Sequence, residues 1–159
     1  MSEIVPLAET KPAVFKVSDE LGNHCFGCGS QNPQGLHLHF VIHDSDPNAI
    51  SAAATIQLGA AFEGPPGYVH GGIIATMLDE AMSKLNRSLD VIAMTRHMEV
   101  DYLHPVRLGD TLTIAGHHVR RDGKKIFHSA EITGSDGKVL ARGKALFIVI
   151  DPRLLTKKH

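Results

Sequence analysis

Long apolar runs are missing from this 159-residue chain: none approaches the ~20 residues that a membrane-spanning helix needs. Charge of one sign is missing too. Sixteen Lys and Arg face 17 Asp and Glu, a net of −1, with the signs mixed along the chain. That excludes the one-sided electrostatic footprint expected of a nucleic-acid or membrane-surface binder. Cysteine is scarce, and Cys25 and Cys28 are too few for a disulfide framework. The opening "MSEIVPLAETKPAVF" has no basic start followed by an apolar stretch, so no secretory signal is expected. No Gly-x-Ser-x-Gly, phosphate-loop or His-Glu-x-x-His pattern occurs, which removes local support for serine hydrolysis, nucleotide triphosphates and helical zinc chemistry. The expectation is a cytoplasmic protein that engages neither nucleic acid nor membrane.

What is present has a clear order. Residues 1–20 carry Pro6 and Pro12 without periodicity and read as a tail. "HCFGCGSQNPQGL" is punctuated by glycines and Asn32-Pro33 and reads as turns. "LHLHFVIH" alternates strictly, with Leu36, Leu38, Phe40 and Ile42 on one face, so a strand is predicted over 36–43. "AISAAATIQL" predicts a second strand, and "GAAFEGPPGYV" a loop. From Gly71 to about Asn86, Ile74, Met77, Leu78, Ala81 and Leu85 recur at helical spacing. Beyond Ile92 the chain reads as strands, with Asp-Gly hairpin signals in "RRDGKK" and "GSDGKV". Two strands, one long helix and four strands predict an α+β domain, a sheet packed on one helix. A domain over 21–152 with a short C-terminal tail over 153–159 follows.

"VHGGIIATMLDEAM" holds two adjacent acids. On a helical wheel of ~100° per residue, Glu80 falls to one side of the apolar stripe beside Lys84, its i+4 partner. Glu before Lys at that spacing is a favourable surface pair, worth ~0.2–0.5 kcal/mol, so solvent explains Glu80. Asp79 lies on another face among Gly72, Ala75, Thr76 and Ser83. Small neighbours there allow close approach, and aspartate is a poor helix-interior residue. Asp79 is therefore the candidate for chemistry. Gly71 and Gly72 open the helix, where free N–H groups favour developing negative charge; a plain tight turn is the competing reading. His70 to Asp79 spans nine residues, about 13 Å of helix. If both ends act on one substrate, the second must come from another subunit, which implies a two-fold dimer with composite sites.

The remaining candidates have ordinary explanations. Cys25-x-x-Cys28 is half a zinc knuckle with too few cysteines to close a Cys₄ site, so a turn and no metal is expected. His37 and His39 point out from an apolar face. Thr95, His97, Glu99 and Asp101 read as one polar face of a strand, the last two being rivals to Asp79. Arg120, Arg121, Lys124 and Lys125 flank a hairpin turn, either as a solvated tip or as a basic patch for phosphate groups.

"HGGIIATMLDEAM", with an acid nine positions after the His, resembles the signature of hotdog-fold acyl-CoA thioesterases, in particular the PaaI-like subgroup of the 4-hydroxybenzoyl-CoA thioesterase superfamily. "CFGCGSQNPQGL", "FEGPPGYVHGG" and "YLHPVRLGD" extend the resemblance over residues 24–150. It implies a helix wrapped by a curved antiparallel sheet, paired into a dimer with one continuous sheet and often into a homotetramer. It implies an acyl-CoA substrate and no cofactor. The backbone N–H of Gly71 would polarise the thioester carbonyl, with Gly72 beside it, and Asp79 of the opposing subunit would act as base or nucleophile. Thr95 would assist Asp79, and His70 would orient the loop. Some relatives carry Asn or Gln shortly before His-Gly-Gly; here Glu63 is the polar side chain in that loop. Arg120, Arg121 and Lys124 are the candidates for the coenzyme phosphates. Alternatives are a hotdog hydratase or dehydratase, using a His–acid pair, and a non-catalytic acyl-CoA-binding protein.

Overall fold

The computed structural model describes residues 23–155, so the tail expected over 1–20 lies outside the described residues. The elements are β1 (Val41–His43), β2 (Ser51–Ile56), α1 (Gly71–Ser88), β3 (Ala93–Tyr102), β4 (Leu112–Asp122), β5 (Lys125–Gly134) and β6 (Val139–Val149), with 3₁₀ turns at Ala60–Phe62 and Pro152–Leu154. The strands form one sheet in the order β1-β2-β4-β5-β6-β3, and every pairing is antiparallel. The helix packs against β2 through β6. This is the α+β architecture predicted from the element order.

The first strand is shorter than predicted. Only Val41–His43 joins the ladder, although Leu36 and Leu38 are buried as the alternation requires. His37 has φ +51, a left-handed kink that breaks the extended path. The N–H groups of Leu36 and Leu38 donate instead to the carbonyls of Phe26 and Gly27, binding this stretch to the preceding turn.

The helix is set by its ends and its stripe. His70 is the N-cap, its Nδ1 accepting from the Gly72 N–H at 2.9 Å. At the other end Asp90 turns left-handed with φ +54, and the N–H groups of Asp90 and Val91 return to the carbonyls of Arg87 and Asn86. The expected stripe of Ile74, Met77, Leu78, Ala81 and Leu85 is buried, widened by Met82 and Asn86. Below it the sheet offers small residues: Ala52, Ala54, Ala130, Ala141 and Ala145 are all at most 5% exposed. Gly116 is the closest approach. A Cβ there would lie 2.5 Å from the Ala81 carbonyl oxygen, so helix backbone rests directly on sheet backbone.

One polar network enters this core. His128 Nε2 meets Asn86 Oδ1 at 3.0 Å, and its Nδ1 meets His118 Nδ1 at 3.2 Å. With Oδ1 accepting from Nε2–H, His128 Nδ1 accepts and His118 Nδ1–H donates, so the His128 ring is neutral. Desolvation, then the charge of His118, lowers the His128 pKa to about 3, and desolvation also lowers that of His118.

Two tests follow from the packing. Gly116→Ala must lift α1 from the sheet, and a loss of about 1–3 kcal/mol in urea unfolding is expected; an unchanged midpoint would contradict the backbone contact. For His128 the native pKa lies below the unfolded value of about 6.5. The unfolded chain therefore binds the extra proton. Stability from this site is complete above pH 6.5 and declines as pH falls toward 3, by about 1.4 kcal/mol per pH unit. His128→Leu should flatten that dependence, measured as unfolding free energy between pH 6.5 and 4.5.

Candidate active site

The site begins where the loop before α1 folds back on itself. The Glu63 carboxylate accepts from the Gly67 N–H at 2.7 Å, and His70 N–H donates to the Phe62 carbonyl. Glu63 thus closes its own loop. Of the first backbone donors of α1, Gly72 N–H goes to His70 Nδ1, and Ile73 and Ile74 N–H go to the His70 carbonyl. Gly71 N–H has no protein acceptor among the described residues. The Gly71 carbonyl in turn accepts from the Tyr102 hydroxyl at 3.1 Å. The local sequence therefore leaves one donor free at a helix N-terminus, where the dipole favours negative charge.

Asp79 lies two turns along. Its Oδ1 accepts from the Thr95 hydroxyl at 2.7 Å. Burial raises its pKa above the usual carboxylate value, the Thr95 bond opposes that rise, and the charge of Glu80 adds to it. Thr95 reaches the helix because β3 is irregular. Thr95 pairs with Phe147 and His97 with Leu146, with a shift of register between them. The bulge at Arg96 reverses the alternation. Thr95 therefore faces inward with buried Phe147, whereas His97, Glu99 and Asp101 pair with Leu146, Lys144 and Arg142 on the outer face. The single polar face expected for all four residues is thus corrected. The same bulge separates the rival acids from the site: His97 and Glu99 face one another on the surface, 3.5 Å apart.

The basic residues are not brought to Gly71. Arg120 pairs with Phe127 and its guanidinium sits 3.7 Å from that ring centroid. Arg121 donates to the Gly123 carbonyl. Lys124 accepts at its carbonyl from Val149 N–H, and Val149 pairs with Ala93 at the start of β3. Gly71 lies against Tyr102 at the strand's far end, about 30 Å away at ~3.3 Å per residue. Within one chain the hairpin tip and the free N–H are at opposite ends of β3.

Glu80 departs from its predicted setting. The i+4 pair with Lys84 forms at 2.9 Å, but the two side chains are only 13% and 18% exposed. The turn over Cys25 to Cys28 covers them: Cys25 Sγ lies 3.7 Å from Glu80 Oε2, and Lys84 Nζ lies 2.7 Å from Cys28 Sγ. Helix spacing identified the pair, but nothing local in the sequence shows that a turn more than fifty residues earlier lies over it. Burial and a hydrogen bond to Glu80 push the Cys28 thiol up to about 11 against the pull of Lys84, so it is a poor nucleophile.

Residues 66–141 match the family model for the Thioesterase superfamily. Acyl-coenzyme A thioesterase THEM4 of Xenopus laevis is 38% identical over 97 residues, which cover 60% of this chain and 44% of that protein. The chain thus spans less than half the length of that relative. Among solved structures, the PaaI protein of E. coli superposes with a TM-score of 0.64 at 20% identity, covering 73% of this chain and 81% of that one. A hypothetical thioesterase of Streptococcus pneumoniae TIGR4, solved with coenzyme A, gives 0.62 at 22% identity over 70% and 88% of the two chains. The fold is the hotdog fold, and these findings bear out the resemblance to acyl-CoA thioesterases.

The covered ion pair makes its own prediction. Glu80→Gln and Lys84→Gln should each lower stability by about 1 kcal/mol, and the double variant by little more than either. Additive losses in thermal melts would show that the pair is not coupled.

Proposed function

We propose that the chain hydrolyses the thioester of an acyl-CoA to free acid and CoA, in a site shared across a two-fold dimer. The observation that carries this reading is the pairing of one free donor, Gly71 N–H, with one half-buried carboxylate, Asp79, held by Thr95. Gly71 N–H of one subunit accepts the charge that develops on the thioester oxygen. Asp79 of the other takes a proton from the water that attacks the carbonyl carbon, or attacks it directly as nucleophile. Collapse of the tetrahedral species expels the CoA thiolate, which takes up a proton; on the nucleophilic route this leaves an acyl–Asp79 anhydride, which water then hydrolyses to the free acid and the Asp79 carboxylate. Thr95 fixes Asp79, and His70 fixes the helix start beside Gly72. The reaction needs no cofactor.

Support for the dimer comes from β3. It is an end strand of the sheet, ten residues long, and carries Thr95. Pairing β3 with its copy would continue the sheet and set the two helices antiparallel, Asp79 of one facing Gly71 of the other. A dimer also offers Arg120, Arg121 and Lys124 of one subunit a route to the coenzyme phosphates. We read the working form as a homotetramer of such dimers in the cytoplasm, the domain spanning 21–152. Glu63 serves by holding the loop that shapes the mouth of the site. A hydratase is disfavoured, because the histidine of its His–acid pair would have to be His70, whose Nδ1 is already engaged by the Gly72 N–H as the helix cap. A passive acyl-CoA binder gains nothing from a desolvated carboxylate beside the acyl group.

The test is release of free CoA thiol from a panel of acyl-CoAs, run beside hydration of an enoyl-CoA. Hydrolysis without hydration is expected; the reverse would overturn the proposal. Asp79→Asn should lower kcat by about 10²-fold or more with the fold intact. Thr95→Ala should lower it by less, since the hydroxyl positions the acid and does not replace it. Full activity in Asp79→Asn would remove Asp79 from the chemistry.

A further inference from the structure

We propose that Cys25, Cys28 and Glu80 form a binding site for a thiophilic divalent cation, Zn²⁺, which clamps the turn at the start of the described chain onto α1. Three donors from two distant stretches meet there: the two Sγ atoms and a Glu80 carboxylate oxygen lie within 4.8 Å of one another. Thiolate and carboxylate ligands around tetrahedral zinc are about 3.5–3.8 Å apart, given Zn–S near 2.3 Å and Zn–O near 2.1 Å. Cys25 Sγ and Glu80 Oε2 are already 3.7 Å apart. The remaining closure is about 1 Å and falls to rotation of Cys25, whose side chain is exposed.

The backbone is shaped to bring these atoms together. In "CFGCG" the Gly29 N–H donates to the Cys25 carbonyl at 2.8 Å, curling the turn so that both sulfurs face one side. A Cβ at Gly27 would lie 2.5 Å from Glu80 Oε2, so a side chain there would have to push the carboxylate out of its present place against the turn. The two carboxylate oxygens have separate duties. Oε1 is held by Lys84 Nζ at 2.9 Å, and Oε2 faces Cys25. Lys84 also reaches Cys28 Sγ at 2.7 Å, placing a donor beside one metal-bound sulfur and one ligating carboxylate, as outer hydrogen bonds do in metal sites.

Charge agrees with a divalent ion. Two thiolates and one carboxylate carry three negative charges, and one ammonium with one divalent cation neutralises them. Binding releases the two thiol protons as the two Zn–S bonds form, and no oxidation is involved. The cluster opens on a cleft of 300 Å³ lined by Asn23, Ser83 and Val91 among others, a path for the ion and for a water as fourth ligand. Soft sulfur ligands in this number favour Zn²⁺ over Mg²⁺ or Ca²⁺.

The experiment is titration of the reduced full chain with Co²⁺, followed by Zn²⁺. One equivalent of Co²⁺ should produce a thiolate-to-metal charge-transfer band with the intense d–d absorption of a tetrahedral site, and one equivalent of Zn²⁺ should abolish both. Zn²⁺ should also raise the Tm of the wild-type chain. Cys25→Ser and Cys28→Ser should lose or sharply weaken the charge-transfer band, and Glu80→Gln should bind Co²⁺ at least about tenfold more weakly. Circular dichroism of the metal-free variants establishes that they fold, and Cys25→Ser, at an exposed position, keeps the test decisive if Cys28→Ser does not. Histidine-bound cobalt gives no thiolate band. The proposal is overturned if the wild-type chain shows no such band, if both serine variants retain it, or if Glu80→Gln binds as tightly as wild type.

Discussion

Everything in this structure depends on how closely α1 lies on the sheet. The contact at Gly116, where an added Cβ would strike the Ala81 carbonyl, fixes that distance, and the alanines of β2, β5 and β6 keep the floor flat around it. Apolar burial drives the layers together, but small residues decide where they stop. With the helix that low, Thr95 on β3 can reach Asp79 through a single hydrogen bond. A helix lifted by one methyl group would keep its hydrophobic stripe and lose that register. Packing in the core is thus a condition for the geometry of the acid.

The helix then distributes charge to three places. Its N-terminus leaves Gly71 N–H free, because the His70 ring and carbonyl satisfy the next donors. Its middle presents Asp79 toward β3 and Glu80 toward the Cys25–Cys28 turn, two neighbouring acids about 100° apart on the wheel. Near its C-terminus Asn86 joins the buried His128, which in turn meets His118. Burial raises the pKa of Asp79 and lowers that of His128, and both shifts arise because low-dielectric surroundings disfavour the charged form.

Much of this was legible in the sequence, for physical reasons. The 3.6-residue period of the stripe located α1, and the wheel separated Asp79 from Glu80. The two Asp-Gly signals located the β4–β5 and β5–β6 hairpins; Gly123 and Gly137 take the positive φ that such turns demand. The His70-to-Asp79 spacing alone raised the question of a second subunit. What escaped was whatever depends on backbone irregularity or on contacts distant in sequence. The bulge at Arg96 leaves no trace in residue type, so simple alternation puts Thr95 on the face of Glu99 and Asp101, and the structure does not. The left-handed His37 cut short a strand whose alternation was otherwise sound. The covered setting of Glu80 depends on a turn some fifty residues upstream, which no local pattern reveals.

The central claim is that donor and acid in one site come from different chains, and mixing two inactive variants tests it most directly. Gly72→Val places a side chain about 3 Å from His70 Nδ1 and closes the helix start; Asp79→Asn removes the acid. In a heterodimer of the two, one composite site carries both lesions and the other carries neither. Re-associated mixtures should therefore recover up to about half the activity of a wild-type dimer per heterodimer. If subunit exchange is demonstrated and activity remains at the level of the parents, acid and donor act within one chain, and the account of the site is wrong.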